Sequence, residues 1–403
     1  MASRAIVRYT PPYMNKKSEV KSGPIVEGII KINSKGSGFI YDDTRPEPIE
    51  IETTFLHTAL NNDVVKILLH PKRKDSQTAE VTYIVKRAKT SFGGILEKDA
   101  GDFFLVPDDK RVYVDFLISP APDLARLETE PGDKVLIEMT EWKDGNKNPI
   151  GIIVQKIGKP GEHETEMRAI VMERGFALNF PPAVESEADT IGHNATNHIA
   201  SEAPNRRDFR GTFTCTIDPV DAKDFDDALS IRKLESGDFE VGIHIADVSH
   251  YVRPGTALDN EARERATSIY LVDRTIPMLP EVLSNNVCSL VPREDRLTFA
   301  AVFVMDRTGN IKDECYGRTI INSTRRFSYE EVQQILNDER GEYLDELLTL
   351  RDIARGLREK KIEAGAITFE DTEVRFQLDA KGKPIAIYKK ERTESHLLIE
   401  DFM

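Results

Sequence analysis

Thr216-Ile-Asp-Pro-Val-Asp-Ala-Lys-Asp-Phe-Asp-Asp-Ala228 sets five aspartates, Asp218, Asp221, Asp224, Asp226 and Asp227, within ten positions. The preceding segment, Gly211-Thr-Phe-Thr-Cys-Thr-Ile217, is rich in β-branched and aromatic residues and predicts a strand. The following one, Ala228-Leu-Ser-Ile231, turns apolar again. The acids therefore belong to a loop pinned between buried strands, not to a disordered acidic tail. Crowded carboxylates repel one another, and a fold tolerates them where something positive binds. A hard divalent cation is the natural partner, because magnesium takes oxygen ligands from carboxylates, water and substrate phosphate.

Other readings of the loop are weaker. A calcium-binding helix–loop–helix needs acids at loop positions 1, 3 and 5 and glycine at 6. Counting from Asp218, those later places hold Val220, Ala222 and Lys223. A solvated acidic turn is the ordinary explanation of any acid run, and the flanking strands count against it. Phosphodiester cleavage, by contrast, needs an activated water and a stabilised leaving oxygen. A metal pair roughly 3.5–4 Å apart serves both. In an extended stretch Asp224 and Asp226 share a face and Asp227 takes the other; a loop or bulge would let them converge.

The 403 residues suggest two to four domains, with an ordinary soluble balance of 39% hydrophobic and 31% charged residues. The apolar run Leu297 to Met305 is too short to span a bilayer, and the first residues lack a signal-peptide core. No membrane partner is expected. Cys215, Cys288 and Cys315 are far apart, which argues for a reducing, cytoplasmic setting and against disulfides or zinc. The net charge of −14 is uneven: residues 1–160 sum to +1 and residues 161–403 to −15. Acidity alone argues against a nucleic-acid partner, yet part of the excess is the aspartate cluster, which a cation would offset.

Upstream, residues 1–21 read as a polar arm. From 22 to 89, and again from 90 to 159, short β-rich runs alternate with turns at roughly 8–12-residue spacing, the pattern of small antiparallel barrels. The two blocks also match each other. Glu27-Gly-Ile-Ile-Lys-Ile-Asn-Ser-Lys-Gly-Ser-Gly-Phe-Ile-Tyr-Asp-Asp43 parallels Gly93-Gly-Ile-Leu-Glu-Lys-Asp-Ala-Gly-Asp-Phe-Phe-Leu-Val-Pro-Asp-Asp109. This resembles the cold-shock variant of the OB fold, in which Lys-Gly-x-Gly-Phe presents a ring to stacked bases. Phe39 and Phe104 are thus candidate RNA-stacking residues, or else core aromatics of generic barrels. Lys72-Arg-Lys74 tracks phosphates or is a solvated loop. Residues 160–206 read as a connector, helical over Glu162 to Gly175 and in part over Glu185 to Glu202. A mixed α/β domain occupies 207–403. In it Ser328 and Glu331 predict a capping box, and Leu344, Leu347, Leu348, Ile353 and Leu357 a helical core stripe ended by Gly365. The final His396-Leu-Leu-Ile-Glu-Asp-Phe-Met403 reads as the opening of a helix, and so as a truncation inside a domain.

The acidic loop also resembles the signature of the ribonuclease II/ribonuclease R family of 3′-to-5′ exoribonucleases. The likeness continues through Val241-Gly-Ile-His-Ile-Ala-Asp-Val-Ser-His-Tyr-Val252, Thr267-Ser-Ile-Tyr270, Ile276-Pro-Met-Leu-Pro-Glu-Val-Leu-Ser284, Cys288-Ser-Leu290, Gly365-Ala-Ile-Thr-Phe369 and the terminal His-Leu-Leu-Ile-Glu-Asp. It covers about residues 205–403, and tandem cold-shock barrels upstream are the family's arrangement, with ribonuclease R favoured. The implied fold is multidomain: two tandem all-β OB-fold barrels, then an incomplete mixed α/β ribonuclease catalytic domain.

Carried over by position, the resemblance implies that Asp218, Asp224 and Asp227 hold magnesium and that loss of Asp226 abolishes catalysis while RNA stays bound. It implies that Tyr270 and Phe369 clamp the last nucleotides of the RNA. Asp221 sits where the family varies. Glu400 and Asp401 both fall near a family acid, and the sequence does not separate them. A catalytic arginine and a further OB-type domain would lie beyond Met403. The implied activity is processive, magnesium-dependent removal of 5′-monophosphate nucleotides from single-stranded RNA by a monomer. The rival reading is a non-catalytic RNA-binding protein that keeps a nuclease-like domain for shape. His244 and His250 lack a second partner at ligand spacing and read as structural.

Overall fold

The computed structural model describes residues 23–42, 47–71, 77–367, 373–380 and 382–403. The arm of residues 1–21, the basic run 72–74 and Phe369 lie outside these described residues. The chain divides into two compact units, 1–178 and 179–403.

The first unit holds two small β-domains. Strands β1 (Ile25–Ile32), β2 (Gly38–Ile40), β3 (Ile49–Ile51), β4 (Val64–Leu69) and β5 (Ala79–Lys86) run in the order β3-β2-β1-β4-β5. A bridge from Glu50 to Thr78 brings the two edges together. Alternation fills the interior with Ile30, Ile32, Ile40, Ile49, Ile51, Val65 and Ile67. The glycines of the Lys-Gly-Ser-Gly stretch are both explained. Gly36 takes φ +85° in the turn, and a Cβ on Gly38 would stand 2.8 Å from side-chain carbons of Ile30 and Leu56. Gly38 and Ile40 point inward, so Phe39 points outward, half-buried, with Lys31 and Glu50 beside it on the neighbouring strands.

The second domain repeats the plan as a closed barrel. Its strands are β6 (Ser91–Asp99), β7 (Asp102–Pro107), β8 (Phe116–Ile118), β9 (Lys134–Glu141) and β10 (Ile150–Gly158). Phe92 and Phe116 pack in its core with ring centres 4.6 Å apart and their planes tilted by 31°. Leu105 is fully buried, so its neighbour Phe104 faces out, half-buried between Glu97 and Leu117.

The stretch read as a connector is two helices that belong to different units. Helix α1 (His163–Glu173) packs Ala169 and Met172 against Ile157 of the second barrel. The buried Lys134 ammonium ties it down, 2.6 Å from Glu166 and 2.9 Å from Asp108. Helix α2 (Pro182–Glu202) instead buries Val184 and Ala188 in the core of the second unit. Phe180-Pro-Pro182 separates them, because a proline restricts the residue before it to extended backbone.

The second unit is built on a seven-stranded sheet. Its strands are β11 (Arg207–Asp208), β12 (Thr214–Asp218), β13 (Asp227–Lys233), β14 (Phe239–Ala246), β17 (Asp295–Met305), β18 (Ile311–Asn322) and β19 (Arg325–Ser328). Between β14 and β17 lie α3 (Val248–Tyr251), α4 (Ala257–Arg265) and the short pair β15 (Ile269–Tyr270) and β16 (Thr275–Ile276). The sheet order is β11-β18-β17-β14-β13-β12-β19. The apolar run at 297–305 is thus an interior strand of the sheet, with Leu297, Ala300, Val302 and Met305 buried and Phe299 exposed.

One face packs on α2 and α4 through Ala228, Leu258, Leu283, Leu297 and Ala300. The other packs on α5 (Tyr329–Asp338), α6 (Leu344–Glu363) and the terminal α7 (Glu394–Phe402) through Leu229, Val241, Val332, Leu350 and Phe402. The Ser328–Glu331 capping box is formed, each side chain meeting the other's backbone N–H at 2.8–3.1 Å. It starts a helix that is interrupted: Glu339 and Tyr343 take left-handed conformations around Gly341, and α6 begins anew. Strands β20 (Val374–Leu378) and β21 (Pro384–Lys389) form a hairpin before α7.

Candidate active site

Strand β12 ends at Asp218 because Pro219 follows and cannot donate to the ladder. Strand β13 begins at Asp227, paired with Ile245 of β14. The intervening loop turns back on itself with three anchors. Phe225 is buried as an apolar plug, and the Arg326 guanidinium lies 5.5 Å from its ring centre while also donating to the Pro219 carbonyl. The Ser289 hydroxyl accepts from the Phe225 N–H at 3.0 Å and donates to the Lys223 carbonyl at 2.7 Å. The Asp226 carbonyl accepts from the Ala246 N–H at 2.9 Å.

This anchoring brings four carboxylates into one another's field. Asp218 is 9% exposed, and its Oδ2 is buried with no hydrogen-bond partner among the described residues. Burial first, then the charges of Asp227 and Asp226, push its carboxyl up to about 7. Asp227 is pushed up to about 6 by burial and by Asp226. Asp226 is exposed to solvent but hemmed in on its inner side; that partial loss of water, followed by the Asp224 charge, also raises it. Asp221 is exposed and takes no part.

Among the described residues no three acidic, histidine or cysteine groups stand in a ready-made coordination geometry. The donor set nonetheless fits a hard divalent cation. All its donors are carboxylate oxygens, one is a buried oxygen without a hydrogen-bond partner among the described residues, and two of the acids are raised toward neutrality by burial first and then by their neighbours' charge.

Tyr270 stands at the rim of the cluster. Its ring is exposed, and its hydroxyl donates to Asp224 Oδ2 at 3.1 Å. The sequence reading missed Tyr329, the residue after the capping Ser328. Burial and the charges of Asp218, Asp227, Glu400 and Asp226 push its phenol up to about 12, so it lies in the field of three of the four acids. The His396 ring stacks on it at 4.1 Å. The two terminal acids also separate. Asp401 is held by Arg358 of α6 at 2.6 and 2.8 Å, whereas Glu400, paired with Arg392, contributes to the field on Tyr329.

His244 is fully buried between Ser230 and Thr319 hydroxyls, and burial drives it down to about 3. His250 packs beside the buried Arg206–Asp247 ion pair at 2.8 Å. Both are packing residues. Phe39 and Phe104 belong to the first unit, on the outer faces of their barrels.

The RNB domain family matches residues 206–403, and the cold shock domain family matches residues 104–181. Ribonuclease R of Thermotoga maritima is 34% identical over 373 residues, covering 90% of this chain and 51% of that protein. The chain thus spans about half the length of that relative. Among solved structures, Mycoplasma genitalium RNase R in complex with ribose methylated single-stranded RNA is 26% identical, with a TM-score of 0.81 over 94% of this chain and 60% of that one. Yeast Ssd1, a pseudonuclease, shares the fold at 19% identity, with a TM-score of 0.69 over 94% of this chain and 53% of that one. With cold-shock-like barrels upstream and the aspartate loop set into an RNB domain, the chain belongs to the RNB family of ribonuclease II/ribonuclease R-type exoribonucleases.

Proposed function

We propose that this chain carries the catalytic acids of a 3′-to-5′ exoribonuclease that removes nucleoside 5′-monophosphates, one after another, from single-stranded RNA in the cytoplasm, acting as a monomer. The observation that carries this reading is the convergence of Asp218, Asp224, Asp226 and Asp227 on one loop, where burial and mutual repulsion outweigh the nearby Arg326 charge and raise Asp218 and Asp227. Among the described residues no helix is long and apolar enough to cross a membrane.

Asp218, Asp224 and Asp227 would hold magnesium. Once bound, the ion supplies positive charge that stabilises the departing oxygen and makes water acidic enough to react at neutral pH. Asp226 faces solvent beside those three, placed to orient the attacking water and take up its proton. The exposed Tyr270 ring offers a stacking face for the terminal base, with its hydroxyl fixed by Asp224. The outward Phe39 and Phe104 rings offer further faces on the barrels. Stacking and backbone contacts read no base identity, so little sequence preference is expected.

Likeness to a pseudonuclease shows that this fold alone does not make an enzyme. A pseudoenzyme has no use for the repulsion among these carboxylates, and here the four acids are intact. Product analysis tests the reading: nucleoside 5′-monophosphates should accumulate from single-stranded RNA with magnesium and not with EDTA. Internal fragments, or intact RNA bound without cleavage by the complete protein, would refute it.

Tyr270→Ala should weaken binding of a short single-stranded RNA about tenfold, within the range for loss of one stacked base. Tyr270→Phe should lose much less, since the ring remains. Fluorescence anisotropy in EDTA measures both. Equal affinity for the alanine variant and wild type would remove Tyr270 from the RNA path.

A further inference from the structure

We propose that Ser289 is the positioning residue of the acidic loop: its buried hydroxyl sets the aim of Asp224 and Asp226, and thereby the affinity for the cation. The inference rests on the cation-binding reading above and adds a residue outside the carboxylate set.

The geometry is specific. Ser289 is 1% exposed and lies on the segment after the Leu283–Val287 helical turn, far from the loop in sequence. Its Oγ accepts from the Phe225 N–H and donates to the Lys223 carbonyl. Those two backbone groups flank Asp224 on either side. The next residue repeats the grip, with the Leu290 N–H donating to the Phe225 carbonyl at 2.8 Å. Ser289 is itself fixed, because its carbonyl accepts from the buried Arg296 Nε at 2.8 Å. One hydroxyl thus closes a short circuit around the peptide that carries Asp224 and leads to Asp226.

A small hydroxyl side chain suits this pairing. The oxygen must accept from one backbone group and donate to another at the same time, and only a hydroxyl does both within so small a volume. Without it, the buried Phe225 N–H and the part-buried Lys223 carbonyl lose their partner and the loop gains freedom. Carboxylates that must converge against their own repulsion would then reach the cation at a greater cost. Groups that orient metal ligands in this indirect way change metal affinity by about 10–100-fold when removed.

The test reads cation affinity rather than turnover. Mn2+ binding to the 403-residue protein is followed by electron paramagnetic resonance for wild type, Asp224→Asn, Ser289→Ala, Ser289→Cys and Thr349→Ala. Thr349 is a control: another buried hydroxyl, bonded to the Asp345 carbonyl within α6 at 2.7 Å. Ser289→Ala should bind Mn2+ about tenfold more weakly or worse, with Ser289→Cys between it and wild type. Thr349→Ala should lower the melting temperature without changing Mn2+ affinity. Should Ser289→Ala not fold, Ser289→Cys decides on the same terms, a threefold or greater loss supporting the role by the scale of about tenfold for full removal. Wild-type affinity in the serine variants, with affinity lost in Asp224→Asn, overturns the role of Ser289 and leaves the cation reading standing. A wild-type protein that binds no Mn2+ overturns both.

Discussion

Asp226→Asn is expected to slow RNA shortening by on the order of 10³-fold or more, the scale of a lost proton-transfer group at a reacting centre, while RNA affinity stays within about twofold of wild type, the scale of a lost surface contact. The substitution is nearly isosteric. It leaves the bond from the Ala246 N–H to the Asp226 carbonyl in place, so β13 still starts where it should. Asp226 is also the most solvent-facing of the four acids, so its removal does not open a cavity. It takes away one negative charge near a polyanion, which favours binding if it changes it at all. Single-turnover shortening and anisotropy together separate the two effects. A parallel fall in affinity would make Asp226 a binding residue, and an unchanged rate would place the proton transfer elsewhere.

Asp218→Asn should raise stability. Asp218 titrates near 7 when folded and near 3.8 when unfolded. The folded state therefore binds the extra proton between those values, and without metal its stability falls as pH rises through that window. The favourable contribution is fully present below about pH 4 and gone once the pH passes the folded value near 7. Asp227, titrating near 6, acts in the same direction. The full shift on Asp218 corresponds to about 4 kcal/mol at most. Allowing about half for relaxation and for the new amide's unmet hydrogen bonds, Asp218→Asn should gain about 2 kcal/mol at pH 8 in EDTA, or roughly 4–8 °C in melting temperature. The gain should shrink toward zero as the pH is lowered to about 4, and magnesium should stabilise wild type but not the variant. Melting curves from pH 4 to 8 test this. Equal melting temperatures at pH 8 would mean that the cluster is not strained.

Such a trade places the cost of the site in the folded protein. The acids are held close by Phe225, Ser289 and the Ala246 amide, which are neutral, and Arg326 only partly offsets their charge, so without a cation the fold carries the remaining repulsion.

What the sequence displays and what it hides divide along physical lines. The loop, its flanking strands, the barrel repeats and the Ser328 capping box are local patterns, set by composition and spacing within a few residues. They are legible for that reason. Tyr329 and Ser289 are not, because each matters through a neighbour more than sixty residues away. Tyr329 reads only as the first residue after a cap, and Ser289 as the middle of a short motif with no chemistry of its own. Glu400 and Asp401 are adjacent in sequence, and only helical geometry turns one to Arg358 and the other toward Tyr329. The stretch 160–206 shows a related effect. Its helices are legible as such, but that Ala169 and Val184 each enter a core, in different units, depends on contacts outside the stretch. The helical pattern after Ser328 likewise runs on in sequence past a break that left-handed Glu339 and Tyr343 impose.

The proposed role of the aspartate loop is that of a metal-dependent centre acting at RNA 3′ ends. The most direct measurement is the time course of a 5′-labelled single-stranded RNA incubated with the complete protein that carries these residues, in magnesium or EDTA, beside the same RNA blocked at its 3′ terminus. A ladder descending one nucleotide at a time from the 3′ end, present only with magnesium and absent for the blocked RNA and for Asp226→Asn, is expected. Cleavage that persists in EDTA, or that proceeds equally on the blocked RNA, would contradict it.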